Sequence, residues 1–313
     1  MTVAEGEGVT VTAQNGNQDG GTVERPARTL PERIDIPVIN GEMIRLRPAA
    51  IEDLPVMDEL DAWYGASGIT GRRADVERAI VHDWVRTSVA WGSHDPQFVG
   101  RQDENPALKH SIAWTMERPD GQGGHHIIGM IFLVSVNGWS KSARIQVVLG
   151  KDFRGRGYSR DAMPRVLTYA FAPEPSGMGL YRVWVAVPEK NTRSLSVYRS
   201  LGFTPEGVSR KALWDEDNGK YQDLHVMGTL ADEFDPIRSL DAFGMHLIED
   251  NPGVKEALAA REHSVEIDRK SKKTDDDDMW PFNRKVTDED EVGDTTTSKR
   301  AWWRNFGMGG KKG

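Results

Sequence analysis

Apolar residues recur along this chain at two alternating spacings, one of two residues and one close to three and a half. Order begins near Ile34. Met43-Ile44-Arg45-Leu46-Arg47 alternates like a strand, and Pro48 ends it. Leu54, Met57 and Leu60 then fall at helical spacing and predict a helix over Ile51–Trp63. A second helix is predicted over Ala74–Trp91, with Val76, Ile80, Trp84 and Val85 on one face and its tryptophans in the core. His110–Glu117, His125–Val136 and Ala143–Leu149 read as strands, parted by a turn at Pro119–Gly124 and a hairpin signal at Asn137-Gly138. Arg160–Phe171 reads as a helix, and Pro164 within it predicts a kink or a shifted start. Tyr181–Val187 is a β-rich run. Asn191–Leu201 is helical and ends at Gly202. Gly207–Trp214 and Tyr221–Leu230 form a hairpin across Asp215–Lys220, turning at Asn218-Gly219. The element order is β-α-α-β-β-β-α-β-α-β-β.

Both ends of the chain lack this patterning. Residues 1–33 are rich in Gly, Thr, Asn, Gln and Glu and predict a disordered arm. From Ala231 the composition turns to Asp, Glu, Lys and Thr, which predicts an acidic, largely disordered tail over 231–313 with one helix at Val254–Ile267. Trp280-Pro281-Phe282 and Trp302-Trp303-Arg304-Asn305-Phe306 stand in that tail as candidate docking motifs for a protein partner. The domain is placed at 34–230. Within it, Gly92–Leu108 is polar and irregular, where a lid or substrate loop would fit.

Composition narrows the chemistry. The 313 residues include no cysteine, which excludes disulfides, thiolate metal sites and a cysteine nucleophile. A net charge of −8 argues against nucleic-acid binding. The N-terminal stretch has no apolar signal core, and no run of about 18 apolar residues is present for a membrane span. A cytoplasmic protein is expected.

One stretch suits an anion. Arg154-Gly155-Arg156-Gly157-Tyr158-Ser159 lies between the strand ending at Leu149 and the helix starting at Arg160. The first N–H groups of a helix have no partner within it and carry the positive end of its dipole. Gly155 and Gly157 allow a tight turn, and Arg154, Arg156 and Arg160 add charge. The stretch lacks both the Lys-Ser/Thr ending of a P-loop and the three-glycine dinucleotide fingerprint. A pyrophosphate is the expected guest. His125 and His126 point to opposite faces of a strand, so they do not chelate one metal together. Asp215, Asp217 and Gly219 lack the downstream acidic ligand of a calcium loop, and no metal is expected.

The element order and two motifs resemble the GNAT (GCN5-related N-acetyltransferase) family over about residues 34–230. Arg154 and Gly157 match its Gln/Arg-x-x-Gly-x-Gly/Ala signature, with Ser159 in the last small position. Asn191-Thr192-Arg193-Ser194-Leu195-Ser196-Val197-Tyr198-Arg199-Ser200-Leu201-Gly202-Phe203 matches the family's Asn-x-x-Ser-x-x-x-Tyr-x-x-x-Gly-Phe segment. The segments MIRLRPAAIEDLPVM and GFTPEGVSRKALWDEDNGKYQDLHVMG resemble the branch that acetylates ribosomal-protein N-termini and related amines.

The resemblance implies an α+β (mixed α/β) fold. Its central, mostly antiparallel twisted sheet has about seven strands, splayed between the fourth and fifth, with helices on both faces. It implies acetyl-CoA as cosubstrate and direct transfer to a primary amine, on a protein N-terminus or a small molecule. Amides of Arg156, Gly157, Tyr158, Ser159 and Arg160 would hold the pyrophosphate. Val147, Val148 and Leu149 would offer main-chain groups to the pantetheine arm. Asn191 would bond CoA or cap its helix, with Ser194 beside it. Tyr198 would be the general acid. Arg144-Ile145-Gln146 stands where many relatives carry Glu-Ile-Gly, so the usual base is missing. His126, Asp103, Glu104 or a water chain are the substitutes. A second reading keeps the fold as a non-catalytic module whose tails recruit partners.

Overall fold

The computed structural model describes residues 29–94 and 110–259. The chain enters through β1 (Ile39–Asn40) and β2 (Arg45–Pro48). It then forms α1 (Leu54–Glu59), α2 (Ala62–Thr70) and α3 (Ala74–Ser93). Three long strands follow: β3 (His110–Pro119), β4 (His125–Asn137) and β5 (Ser142–Leu149). After α4 (Tyr158–Phe171) come β6 (Arg182–Pro188), α5 (Thr192–Ser200), β7 (Thr204–Asp215), β8 (Lys220–Leu230) and α6 (Pro236–Asp241). The strands form one sheet in the order β1-β2-β3-β4-β5-β6-β8-β7, antiparallel except where β5 meets β6. The expected count was about seven. The eighth is β1, which at two residues is too short to show a period, so the strands expected to splay are β5 and β6.

The middle strands are apolar on both faces because both are covered. Ile112, Trp114, Met116, Ile131 and Leu133 pack in one core with Ala162, Val166 and Ala170 of α4. Ala113, Met130, Phe132 and Val134 pack in a second with Leu54, Met57, Val81 and Val85 of α1 and α3. Successive side chains of a strand serve opposite cores.

Several elements differ from the periodicity. The helix predicted over Ile51–Trp63 is a 3-10 turn, α1 and α2, broken at Asp61, whose φ of 48° is left-handed. The Leu60 carbonyl, freed by the break, accepts Lys151 N–H at 3.0 Å. On α3, Val76 is exposed while Glu77, Val81 and Val85 are buried, so the inward face is turned one residue from the prediction. α4 begins at Tyr158 and runs through Pro164 as one helix. At the free edge β7 loses register between Ser209 and Leu213, where Lys211 has φ of 51°.

Packed structure also reaches past both predicted boundaries. Leu30 joins the first core, and the Trp91 indole donates to the Pro31 carbonyl at 2.8 Å. Beyond β8, Phe234 packs on Phe171, and the Asn251 amide exchanges two hydrogen bonds with the Asn40 backbone. Sparse apolar residues, Phe234, Leu240, Met245 and Val254, do this work in a stretch of polar composition. Residues 254–259 are helical, as expected for the start of the 254–267 helix. The rest of that helix, the tail's aromatic motifs, residues 1–28 and most of the predicted lid lie outside the described residues. Among the described residues no helix is long and apolar enough to cross a membrane.

A charged network ties β2, β3 and the α1 approach together. The Arg47 guanidinium donates to both Asp53 oxygens at 2.7 and 2.8 Å and to Glu117 at 2.7 Å. Asp53 also accepts from the Thr115 hydroxyl at 2.6 Å and from Ala50 N–H. Burial alone would raise the Asp53 pKa, but Arg47, Thr115 and Ala50 outweigh it and hold the carboxyl below its usual range. A depressed folded-state pKa adds stability above the unfolded value, and that stability is lost as pH falls through the folded value. Asp53→Asn is therefore expected to cost about 2–4 kcal/mol at pH 7. In thermal melts its deficit against the wild type should shrink below about pH 4.

Candidate active site

β5 and β6 pair for three residues only: Ser142 with Arg182, Ala143 with Val183, and Arg144 with Trp184. Beyond that, β5 stays paired with β4 as far as Leu149, and β6 stays paired with β8 as far as Pro188. Ile145–Leu149 and Val185–Pro188 thus face each other across a gap. The gap opens into a cavity of about 680 Å³. Its walls come from β5 and β6, α2 and α3, and the first two turns of α4 and α5, with Leu213 of β7 and Leu224 of β8. The Gln222 amide donates to the Ile69 and Thr70 carbonyls, and Glu216 N–H donates to the Gly71 carbonyl. These bonds join α2 to the β7–β8 hairpin beside the cavity.

Most of the expected site residues converge here. Val147, Val148 and Leu149 line the β5 side, and Arg154, Gly155 and Gly157 line the turn. Ser159 and Arg160 line it from α4, and Asn191, Ser194 and Tyr198 from α5. Gly155 and Gly157 have φ of 78° and 93°, which only glycine adopts without strain. Among the described residues no backbone carbonyl takes the N–H groups of Arg156, Gly157, Tyr158 or Ser159. They begin α4 as unpaired donors, which is what an anion needs. Arg160 N–H, expected among them, instead donates to the Gly157 carbonyl at 2.8 Å.

Other expected roles change. The Arg154 side chain is turned inward, donating to the Leu149 carbonyl at 3.0 and 3.1 Å and to the Ala62 carbonyl at 2.8 Å. It bolts the end of β5 to α2 rather than adding charge to the turn. A Cβ at Gly65 would overlap its guanidinium, so that glycine makes the bolt possible. The Arg156 side chain is exposed and does not line the cavity. The Tyr158 ring is buried against Phe153 in the core. His126 sits at the start of β4 opposite Arg118, exposed and not among the cavity residues, because the register carries it three residues past Gly129, the partner of Leu149, on a strand one removed from the gap. Asp103 and Glu104 lie outside the described residues. Asn191 caps α5, its Oδ1 accepting from Ser194 N–H at 3.3 Å.

Tyr198 stacks edge-on against Phe203. Burial pushes its phenol up to about 12, although the nearby Arg144 charge pulls the other way. It is therefore protonated at neutral pH.

Four residues of the site escaped the sequence reading. Arg193 donates from α5 to the Gly155 carbonyl at 3.2 Å and spans the mouth at the turn. Glu77 is the carboxylate among the described cavity residues; its Oε1 accepts from the Thr70 hydroxyl at 2.7 Å and pairs with Arg72 at 3.5 Å. Trp84 packs on Phe132 of the second core, as expected, and also lines the cavity under Arg144, and Arg72 stands beside Glu77. Helical spacing could not have found Glu77, since it is a charged residue on the buried face. Among the described residues no cluster of His, Asp or Glu is placed to hold a metal ion.

The family model of the acetyltransferase (GNAT) domain matches residues 44–204, a span that contains the gap, the turn and α5. The chain belongs to the GNAT family. The GNAT domain is 27% identical over 109 residues to a spermidine N(1)-acetyltransferase of Vibrio cholerae, covering 35% of this chain and 60% of that protein. It is 30% identical over 109 residues to a putative ribosomal N-acetyltransferase, YdaF, of Bacillus subtilis, covering 35% and 56%. The chain thus spans less than two thirds of the length of these relatives. A crystal structure of the Vibrio cholerae spermidine N-acetyltransferase with CoA and spermine aligns with 20% identity and a TM-score of 0.44, covering 61% of this chain and 97% of that one.

Removing the room for the Arg154 bolt tests this geometry. Gly65→Ala in the GNAT domain should displace the guanidinium and break three charge-assisted bonds, costing about 2–4 kcal/mol in urea unfolding. Arg154→Met should cost less, because no buried charge is left without partners.

Proposed function

We propose that the GNAT domain is an acetyl-CoA-dependent N-acetyltransferase acting on a primary amine, a protein N-terminus or a small molecule, by direct transfer with both substrates bound. The observation that carries this reading is the unzipped β5–β6 pair running down to unpaired amides at a helix start. The open strand edges suit an extended amide-bearing arm, and the turn suits a pyrophosphate. Bound acetyl-CoA supplies the activated acetyl thioester.

The chain's own groups then divide the work. The N–H groups of Arg156, Gly157, Tyr158 and Ser159 grip phosphate oxygens, with Arg193 and Arg160 nearby. Main-chain groups of Val147, Val148 and Leu149 orient the arm. The Tyr198 phenol holds the proton that the departing sulfur takes up, and its raised pKa keeps it protonated across the working range. Glu77 replaces His126 as the candidate base and takes a proton from the amine nitrogen, with Thr70 and Arg72 fixing its rotamer. A cytoplasmic location, and a protein partner for the Trp280 and Trp302 segments, belong to the same reading.

Isothermal titration with acetyl-CoA is the first test, and failure to bind removes the reading. Tyr198→Phe should lower kcat by about 100-fold or more while acetyl-CoA affinity stays within about twofold. Lost affinity instead would make Tyr198 a structural residue. Glu77→Gln should lower kcat by at least about 10-fold at neutral pH. That deficit should narrow at high pH, where the amine is already neutral; a constant deficit would exclude Glu77 as base.

A further inference from the structure

We propose that the acceptor half of the cavity is built for an amine that also carries a carboxylate, and that Arg144 holds that carboxylate. The inference rests on the transferase reading of the same cavity and names its acceptor class.

Arg144 sits at the last paired position before the strands part, opposite Trp184. Along β5, Ala143 and Ile145 belong to the α4 core, whereas Val148 belongs to the α1–α3 core. Strand alternation puts Arg144 on the α1–α3 side with Val148. Its guanidinium lies 5.5 Å from the centre of the Trp84 ring and 5.9 Å from that of Trp184. The two rings hold the cation without accepting its N–H bonds, which leaves those donors for a ligand.

That edge is not satisfied by the protein. Arg144 Nε is out of solvent and has no hydrogen-bond partner among the described residues. No carboxylate among them lies within ion-pair distance of it, although ion pairs form elsewhere in the domain. Burial, and after it the like charge of Arg72, act against the charged form. A guanidinium does not shed its proton in practice, so Arg144 is a half-buried cation, its Nε out of solvent, that lacks a counter-ion among the described residues.

Local charge points the same way. Around the acceptor end stand Arg72, Arg144 and Glu77, two positive groups and one negative, for a balance of +1. Glu77 is already engaged with Arg72. The arginines at the turn stand at the other end of the cavity, past Leu149, where Arg154 donates to carbonyls, Arg193 donates to the Gly155 carbonyl and Arg160 lies over Phe243. A carboxylate would complete Arg144 through two parallel N–H bonds. A polyamine would bring further positive charge beside one that already lacks a partner. An amino group on the same small molecule would lie toward Glu77, whose charge Arg144 senses across the cavity.

The test uses the full chain saturated with CoA, titrated calorimetrically with matched pairs. The probes are glycine, β-alanine, 4-aminobutyrate and 6-aminohexanoate, each beside its carboxamide, with spermidine for comparison. At least one acid should bind roughly 10-fold or more tighter than its amide and than spermidine. Arg144→Gln should bring that pair to within about twofold of each other, and Arg144→Lys should restore part of the preference. CoA affinity, measured first on each variant, reports folding and tests the transferase reading separately. A chain that binds CoA but takes acid and amide alike, or takes none of the probes, overturns the proposal. So does Arg144→Gln if the preference persists, or if it slows turnover of acids and amides by one common factor, since Arg144 would then act on the reaction and not on the acceptor.

Discussion

Everything in this domain is arranged around a refusal to pair. Two parallel strands meet for three residues and then separate, in the middle of a sheet whose other middle strands pair along most of their length with only local shifts of register. Unpaired main-chain groups in an interior are costly. The cost stays small here because β5 keeps β4 and β6 keeps β8, so each strand leaves one edge open. That edge faces a cavity where a ligand or water can reach it.

Holding such a gap open needs struts, and they are polar. Arg154 fastens the end of β5 to α2, at the place where Asp61 breaks the helix that the apolar spacing would have continued. On the other face, Asp161 and Arg165 form a buried pair on α4. Asp161 receives Met43 N–H, and Arg165 reaches the His246 carbonyl. The end of α4 with the unpaired amides is therefore located by contacts from both ends of the folded chain. Buried pairs of this kind specify position more than they add stability.

The long strands, the glycine turn and the α5 motif were legible because each depends on local rules: two-residue alternation, glycine at positive φ, and a capping asparagine. The broken helix at Asp61 was not, since the group that takes up the freed Leu60 carbonyl lies about ninety positions away. Glu77 and Trp84 went unrecognised as cavity residues for one reason. Periodicity assigns apolar residues to a core and charged residues to solvent, and a cavity wall obeys neither rule. The packed segment after Ala231 was hidden by composition, because four apolar anchors and one asparagine suffice to dock it. Arg144 was visible as a departure from the family pattern, but its flanking tryptophans come from α3 and β6 and meet only in space.

The two outer margins of the sheet bear on how the protein meets other chains. One margin is a strand of two residues; the other slips register around Lys211. Neither offers the long, flat template on which a foreign strand can be laid. The sheet's capacity to accept one more extended segment is thus turned inward, so that a molecule seeking backbone company is steered into the gap between β5 and β6.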